Sequence, residues 1–429
     1  MRRFRFSDPG FEAVFSAFVE ERRETPEAVD AIVRDVLAAV RSEGVTALLR
    51  FAREFDSIEL DEGSIRVSGA EIEEGAAACP AEVRDAIAFA ANRIRAYHER
   101  QRPADQQFTD DAGVELGWRW TPLEAVGIYV PGGRAAYPST VLMNAVPAAV
   151  AGVERIAMVT PPGRLQPAVL AAAKTAGVTE IWRVGGAQAV AALAYGAGPI
   201  RPVDKIVGPG NAFVTAAKRR VYGAVGIDAL AGPSEIVVVA DGLNDPEWIA
   251  ADLLSQAEHD PAAQSILITD DEAFAGRVEA ALQVQLSTLT TGADAAASWR
   301  DHGAVVIAPL DESPGLVDRI APEHVEFAVE EPERLADRVR HAGAIFLGRY
   351  APEAVGDYVA GSNHVLPTSR AARFSSGLSL YDFLKRTSIV KCDAQSFAAL
   401  APATIALAEA EGLPAHARSA AIRLGQTRR

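Results

Sequence analysis

Apolar residues recur every three to four positions in Val29-Asp-Ala-Ile-Val-Arg-Asp-Val-Leu-Ala-Ala-Val40 and again from Val83 to Tyr97. That is the period of a helix with one buried face. Residues 1–105 therefore read as a mostly helical region. A polar linker, Gln101 to Gly113, follows, and from about residue 120 the pattern changes. Short β-branched runs at 156–160, 180–184 and 204–207 look like buried strands, each followed by Gly or Pro and then an Ala-rich helix. The rhythm resumes at 236–240, 265–269, 305–307, 325–328 and 344–347. Strand–helix alternation predicts parallel sheets with right-handed crossovers. The expected fold class is α/β, with two units at roughly 120–235 and 236–370 and a helical C-terminal segment.

Composition narrows the function. The chain is 49% hydrophobic and 23% charged, that of a soluble globular protein, and its net charge of −15 argues against nucleic acid or an anionic membrane as partner. The basic start Met1-Arg-Arg-Phe-Arg5 lacks the apolar core of a signal peptide, and no apolar stretch is long enough to span a bilayer. Two cysteines, Cys79 and Cys392, make neither a disulfide framework nor a thiolate metal site. The cytoplasm is the expected location.

One run draws the eye to chemistry: Asp252-Leu-Leu-Ser-Gln-Ala-Glu-His-Asp260. Asn244 or Asp245 can cap a helix here, Pro246 suits its first turn, and Ile249, Leu253 and Leu254 supply the apolar face. Gln256 and His259 then fall one turn apart on one face, within reach of one ligand, before Asp260-Pro261 ends the helix. A histidine in such company also suits a surface cap. Of seven histidines, His98, His302 and His341 read as surface residues. Glu323 and His324 stand side by side at the mouth of a strand, where an acid and an imidazole can divide proton transfer. Asp357 and His364 share a Gly-rich loop, and Glu411 and His416 flank a helix joint at Pro414. Glycine turns at Tyr129-Val-Pro-Gly-Gly133, Val184-Gly-Gly-Ala-Gln188 and Val207-Gly-Pro-Gly-Asn211 are suited to phosphate, though none completes a dinucleotide fingerprint.

Taken together, these segments resemble the histidinol dehydrogenase family. The likeness rests on the Tyr129 turn, Gly208-Pro-Gly-Asn-Ala-Phe213, Ala231-Gly-Pro-Ser-Glu235, Asp252 to Asp260, Ala321-Pro-Glu-His324, Gly356 to Thr368 and Ala372 to Ser379. The resemblance implies two incomplete Rossmann-like parallel-sheet domains, 106–235 on the NAD side and 236–370 carrying the zinc and catalytic residues. Helical segments 1–105 and 371–429 flank them, the latter for dimerisation in an intertwined homodimer with sites shared across the interface. It implies Gln256, His259, Asp357 and the partner's copy of residue 416, here His416, as zinc ligands. Tyr129, Gln188 and Asn211 correspond to NAD-contacting positions. Ser234, Glu411 and His324, with the four metal ligands, correspond to substrate-contacting ones, and His364 ranks behind them.

The reaction so implied is oxidation of L-histidinol to L-histidine through the aldehyde, the last step of histidine biosynthesis. It consumes two NAD because four electrons leave. His324 is placed as the general base and Glu323 to activate the water that hydrates the aldehyde. A rival of the same fold and chemistry would oxidise another small alcohol, such as a sulfonated diol. Ser234 and Glu411 speak against it, since a carboxylate suits a cationic substrate better than a sulfonate.

Overall fold

The structure, a computed structural model, describes residues 1–21, 27–132, 137–163 and 165–425. Gly133, the last residue of the first glycine turn, lies outside them. In chain order the strands are β1 (Arg2–Arg5), β2 (Gln106–Thr109), β3 (Glu115–Pro122), β4 (Ala125–Tyr129) and β5 (Arg155–Thr160). Next come β6 (Glu180–Arg183), β7 (Lys205–Val207), β8 (Gly226–Ile227), β9 (Glu235–Ala240) and β10 (Gln264–Thr269). The last four are β11 (Ala304–Ile307), β12 (His324–Ala328), β13 (Ala344–Leu347) and β14 (Leu384–Lys391). The chain divides into two compact units, Met1–Gln101 with Leu123–Phe383, and Arg102–Pro122 with Leu384–Arg429.

The first unit holds two parallel sheets. The five-stranded sheet runs β6-β5-β4-β7-β8, and the six-stranded one runs β1-β11-β10-β9-β12-β13. Counted from β4 and from β9, both follow the order third, second, first, fourth, fifth, with β1 added at one edge of the larger sheet. An order that reverses beside its first strand opens a crevice there. The strand β4 is apolar and buried throughout, and β9 is buried throughout and apolar after Glu235, as strands covered on both faces should be.

Helices Glu27–Glu43 and Val45–Asp56 pack outside the five-stranded sheet, the first against helices Gly186–Tyr195 and Ala212–Val221 and the second against Gly186–Tyr195, with Val33, Val36, Leu48 and Phe51 in the shared core. On one face of the six-stranded sheet, Phe4, Phe11, Phe15 and Phe18 from β1 and the helix Phe11–Glu20 form an aromatic cluster. Phe15 is fully buried, and burying a side chain of that size stabilises by about 1.5–3 kcal/mol. Helices Pro246–Ala257, Glu272–Leu286 and Gly292–His302 cover the opposite face.

The second unit combines the antiparallel sheet β14-β3-β2 with helices Ala394–Ala410 and Pro414–Arg423. Asp393 caps the first of these helices in a reciprocal box with Ser396. Both terminal regions are helical as expected, each with one strand the sequence did not announce at these positions: β1 at the N-terminal side and β14 ahead of the last two helices. Among the described residues, no helix is long and apolar enough to cross a membrane.

Candidate active site

A parallel crossover returns the chain to the amino end of the sheet. The helix Pro246–Ala257 follows β9, so its C-terminal turn arrives at the edge where β9 and β12 begin. Asp245 is its N-cap, accepting from the Glu247 amide, while Asn244 is buried and donates to Ala328 O at 2.6 Å. The regular helix stops at Ala257, two residues before His259, but His259 N still donates to Gln256 O at 3.2 Å and carries the turn on. His259 Nδ1 donates to Ser255 O at 2.8 Å, which leaves Nε2 as the lone-pair nitrogen. The Gln256 side chain is 1% exposed, and its Oε1 is buried with no hydrogen-bond partner among the described residues. An orphaned amide oxygen one turn from an imidazole Nε2 suits a cation.

The pair Glu323 and His324 is gripped by a single residue of the neighbouring strand. Glu235 N donates to Glu323 Oε2 at 3.0 Å, and Glu235 O accepts from His324 Nδ1 at 3.1 Å. His324 Nε2 therefore points inward, 3.7 Å from Asp357 Oδ1 and 3.9 Å from Glu353 Oε1. Burial raises Glu323 to about 7. Burial would lower His324, but the Glu323, Asp357 and Glu353 carboxylates outweigh it and lift the imidazole to about 10.

Asp357 sits in a short helix, Glu353–Tyr358, which corrects the expectation of a loop. Burial would raise it, yet contact with His324 and the charge of His364 hold it at about 2. His364 does lie in the following loop and folds back to donate from Nδ1 to Asp357 O at 3.1 Å. Burial lowers His364, within range of the charges of Asp357, His324 and His259.

Sequence reasoning missed Glu353. It is 1% exposed, accepts from Ser255 Oγ at 3.0 Å, and its amide donates to buried Glu326. Among the described residues, one group of three acid or histidine ligand atoms lies within 4.8 Å: His324, Glu353 and Asp357. Only Asp357 belongs to the expected ligand set. Burial, with the Asp357 charge beside it, raises Glu353 to about 8. A signal for it existed, since Ala351-Pro-Glu353 repeats Ala321-Pro-Glu323.

A further correction concerns His98, expected at the surface. It is fully buried, with Nδ1 on Gln101 Oε1 at 2.9 Å and Nε2 facing Asn363 Nδ2 at 3.5 Å, beneath the His364 loop. His302 and His341 are half-buried. Ser234 directly precedes β9, its carbonyl accepting from Gln264 N. Glu411 caps the helix Ala394–Ala410, His416 lies in Pro414–Arg423, and both are exposed in the second unit.

Tyr129, Gln188 and Asn211 line a different cleft, of about 570 Å³, at the carboxyl end of β4 and β7. Tyr129 OH accepts from Gly186 N at 3.0 Å, where the helix Gly186–Tyr195 begins, and burial lifts the phenol to about 12. Asn211 Oδ1 caps the helix Ala212–Val221, accepting from Phe213 N and Val214 N, so only its amide NH2 is left for a ligand. Before it, Gly208 adopts φ 109°, and a Cβ there would lie 2.3 Å from Tyr129 O. Both polar atoms of Gly208 are held by a buried ion pair: N on Asp228 Oδ2 at 2.8 Å, O on Lys218 Nζ at 3.0 Å.

Comparison with known proteins gives one consistent result. A family profile described as histidinol dehydrogenase matches residues 19–424. A histidinol dehydrogenase of Caulobacter vibrioides is 79% identical over 424 residues, covering 99% of each chain. One from Mesorhizobium japonicum is 60% identical, covering 98% of each. The crystal structure of histidinol dehydrogenase from Elizabethkingia anophelis superposes with a TM-score of 0.94 at 36% identity, over 99% of this chain and 98% of that one.

Proposed function

The chain belongs to the histidinol dehydrogenase family, and from that premise we propose how its two sheets divide the oxidation of L-histidinol to L-histidine. The family is NAD- and zinc-dependent and performs the final step of histidine biosynthesis. The balanced reaction converts one alcohol, two NAD+ and one water to the carboxylate, two NADH and three protons. The observation that carries the proposal is the Glu323–His324 pair held on the two polar atoms of the Glu235 peptide, with His324 Nε2 turned toward Asp357.

Gln256, His259 and Asp357 are the ligands this unit would offer to zinc; the orphaned Gln256 oxygen and the free His259 Nε2 fit that role. Zinc, when bound, supplies Lewis acidity and a fixed point for the imidazole and amine of the substrate. Asp357, held as a ligand, would withdraw one of the carboxylates that keep a proton on His324, while Glu323 remains the stronger one; His324 is assigned the alcohol proton. Glu323, with its pKa near 7, removes a proton from the water that hydrates the aldehyde. The cleft of Tyr129, Gln188 and Asn211 would hold NAD, which supplies the hydride acceptor when bound. Neither cysteine is near this chemistry by motif, so a thiol adduct plays no part.

Ser234, Glu411 and His416 complete the proposal, His416 as the fourth ligand and Glu411 as counter-ion to the substrate amine. Both would come from the partner in a homodimer whose sites are shared. Exposed apolar side chains of the second unit, among them Val390, Leu407 and Ile422, support an interface there; sedimentation as a monomer would refute it. The division into 106–235 for NAD and 236–370 for zinc and catalysis belongs to the same reading, as does action in the cytoplasm.

The deciding experiment measures NADH formed per L-histidinol consumed. A ratio of two that collapses with a chelator and returns with zinc is expected. No NAD reduction with histidinol, but reduction with another small alcohol, would transfer the function to that substrate.

A further inference from the structure

Asp56 is placed at a cost that nothing among the described residues offsets. It is the last residue of the helix Val45–Asp56, where a carboxylate opposes the negative end of the helix dipole. Its Oδ2 is buried with no hydrogen-bond partner among the described residues, and burial raises the carboxyl above its ordinary value. A buried oxygen left without a donor calls for an explanation outside the fold itself.

The oxygen belongs to a residue lining the same cleft as Tyr129, Gln188 and Asn211. Two further features line the cleft. One is the N-terminus of the helix Gly186–Tyr195, a place for a pyrophosphate, held by the Tyr129 hydroxyl whose ionisation the nearby Asp56 charge disfavours. The other is an apolar wall that includes Val36 and Phe55, the latter 56% exposed and stacked on Phe51 at 5.2 Å, a flat surface for a purine. Between a purine and a pyrophosphate lies a ribose. Dinucleotide sites on parallel sheets take the ribose 2′-hydroxyl with an acidic side chain that follows the first turn. Here the strand next to β4, β5, runs out into Pro161 and Pro162, both lining the cleft and neither with a carboxylate or any other polar side chain to offer. The helix packed outside the sheet supplies the carboxylate instead.

We infer that Asp56 is a specificity-determining residue, accepting a hydrogen bond from the adenosine 2′-hydroxyl of NAD and repelling a 2′-phosphate. The assignment rests on the NAD reading of this cleft and extends it to cofactor choice. A hydrogen bond to a charged group of this kind corresponds to about a ten- to hundred-fold difference in affinity.

The test is calorimetric titration of the zinc-loaded, full-length enzyme with NAD, with NAD lacking the adenosine 2′-hydroxyl, and with NADP. The unaltered protein should bind NAD about ten-fold or more tightly than either analogue. Asp56→Ala should weaken NAD to the level of the deoxy analogue, leave that analogue unchanged, and tighten NADP. Asp56→Asn, close in shape, should relieve the discrimination against NADP and guards against a folding defect in the alanine variant. Equal weakening of all three ligands, or an unchanged preference in both variants, would overturn the inference while leaving the cleft as the NAD site. Failure of the unaltered protein to bind NAD at all would overturn this inference and the proposed function together.

Discussion

The two sheets of the first unit share a strand order, yet they are used at opposite edges. In the five-stranded sheet, Tyr129 ends β4 and Gly208 follows β7, so the cleft opens at the carboxyl ends beside the reversal of strand order. In the six-stranded sheet, His324 is the first residue of β12 and Glu235 the first of β9. The reversal is again between these two strands, but the acid and imidazole cluster lies at their amino ends. Carboxyl ends meet helix N-termini, which favour anions such as a dinucleotide phosphate. Amino ends meet helix C-termini, where Gln256 and His259 emerge among carbonyl groups and positive charge is favoured. One architecture thus offers an anion site and a cation site according to which edge is furnished.

The comparison can be broken on one side at a time. Replacing His324 with Asn should cost about 10²–10⁴-fold in kcat, as loss of a general base does, while NAD affinity stays unchanged. Glu323→Gln should suppress oxidation of the aldehyde more than of the alcohol. In the parent enzyme the aldehyde half-reaction should rise with pH through about 7 as Glu323 ionises. Stopped-flow turnover of each substrate checks both statements, and a parallel loss of NAD binding would contradict the separation of the two edges.

The reverse break is Gly208→Ala. The added methyl meets Tyr129 O in a backbone region disfavoured for alanine, a cost of about 1–3 kcal/mol. NAD affinity should fall while zinc content, read by mass spectrometry, stays at the parent level. A loss of zinc would show that the edges are coupled.

The smallest expected effect sharpens the zinc side. Burial lowers the pKa of His98, so the folded protein keeps it neutral while the unfolded chain takes up a proton near the ordinary imidazole value of about 6.5. Its contribution to stability is therefore complete above that pH and is lost as pH falls below it. Melting temperature should drop on acidification from about pH 7.5 to 5.5, and less steeply in His98→Gln. Identical slopes for the two proteins would remove His98 from the account.

Most of the parallel strands could be read in advance because each is a run of β-branched residues flanked by Gly or Pro. The strands β2 and β14 could not. Gln106–Thr109 is exposed throughout, and Leu384–Lys391 carries three basic residues. Each is held by pairing with β3, and for β14 the partner lies far away in sequence. The candidate site shows the same limit. His324 and Gln256 were legible because their neighbours announce a strand end and a helix end. Glu353 and Glu326 were not, since an acidic residue looks the same in sequence whether it faces water or a sealed pocket. His98 failed for that reason too: its flanking charges face outward while the ring faces in.

The first strand sets a schedule for biosynthesis. The register pairs Arg2 with Ala304, about 300 residues further on. At synthesis rates of roughly 5–20 residues per second, β1 emerges about 15–60 s before its partner strand exists. During that interval Phe4, Phe11, Phe15 and Phe18 have no sheet to cover, and they stay exposed on the nascent chain. The five-stranded sheet, complete once β8 is made, can fold meanwhile. The six-stranded sheet can close this edge only after β11 is made, so its aromatic face is the last of the two sheets' surfaces to be covered.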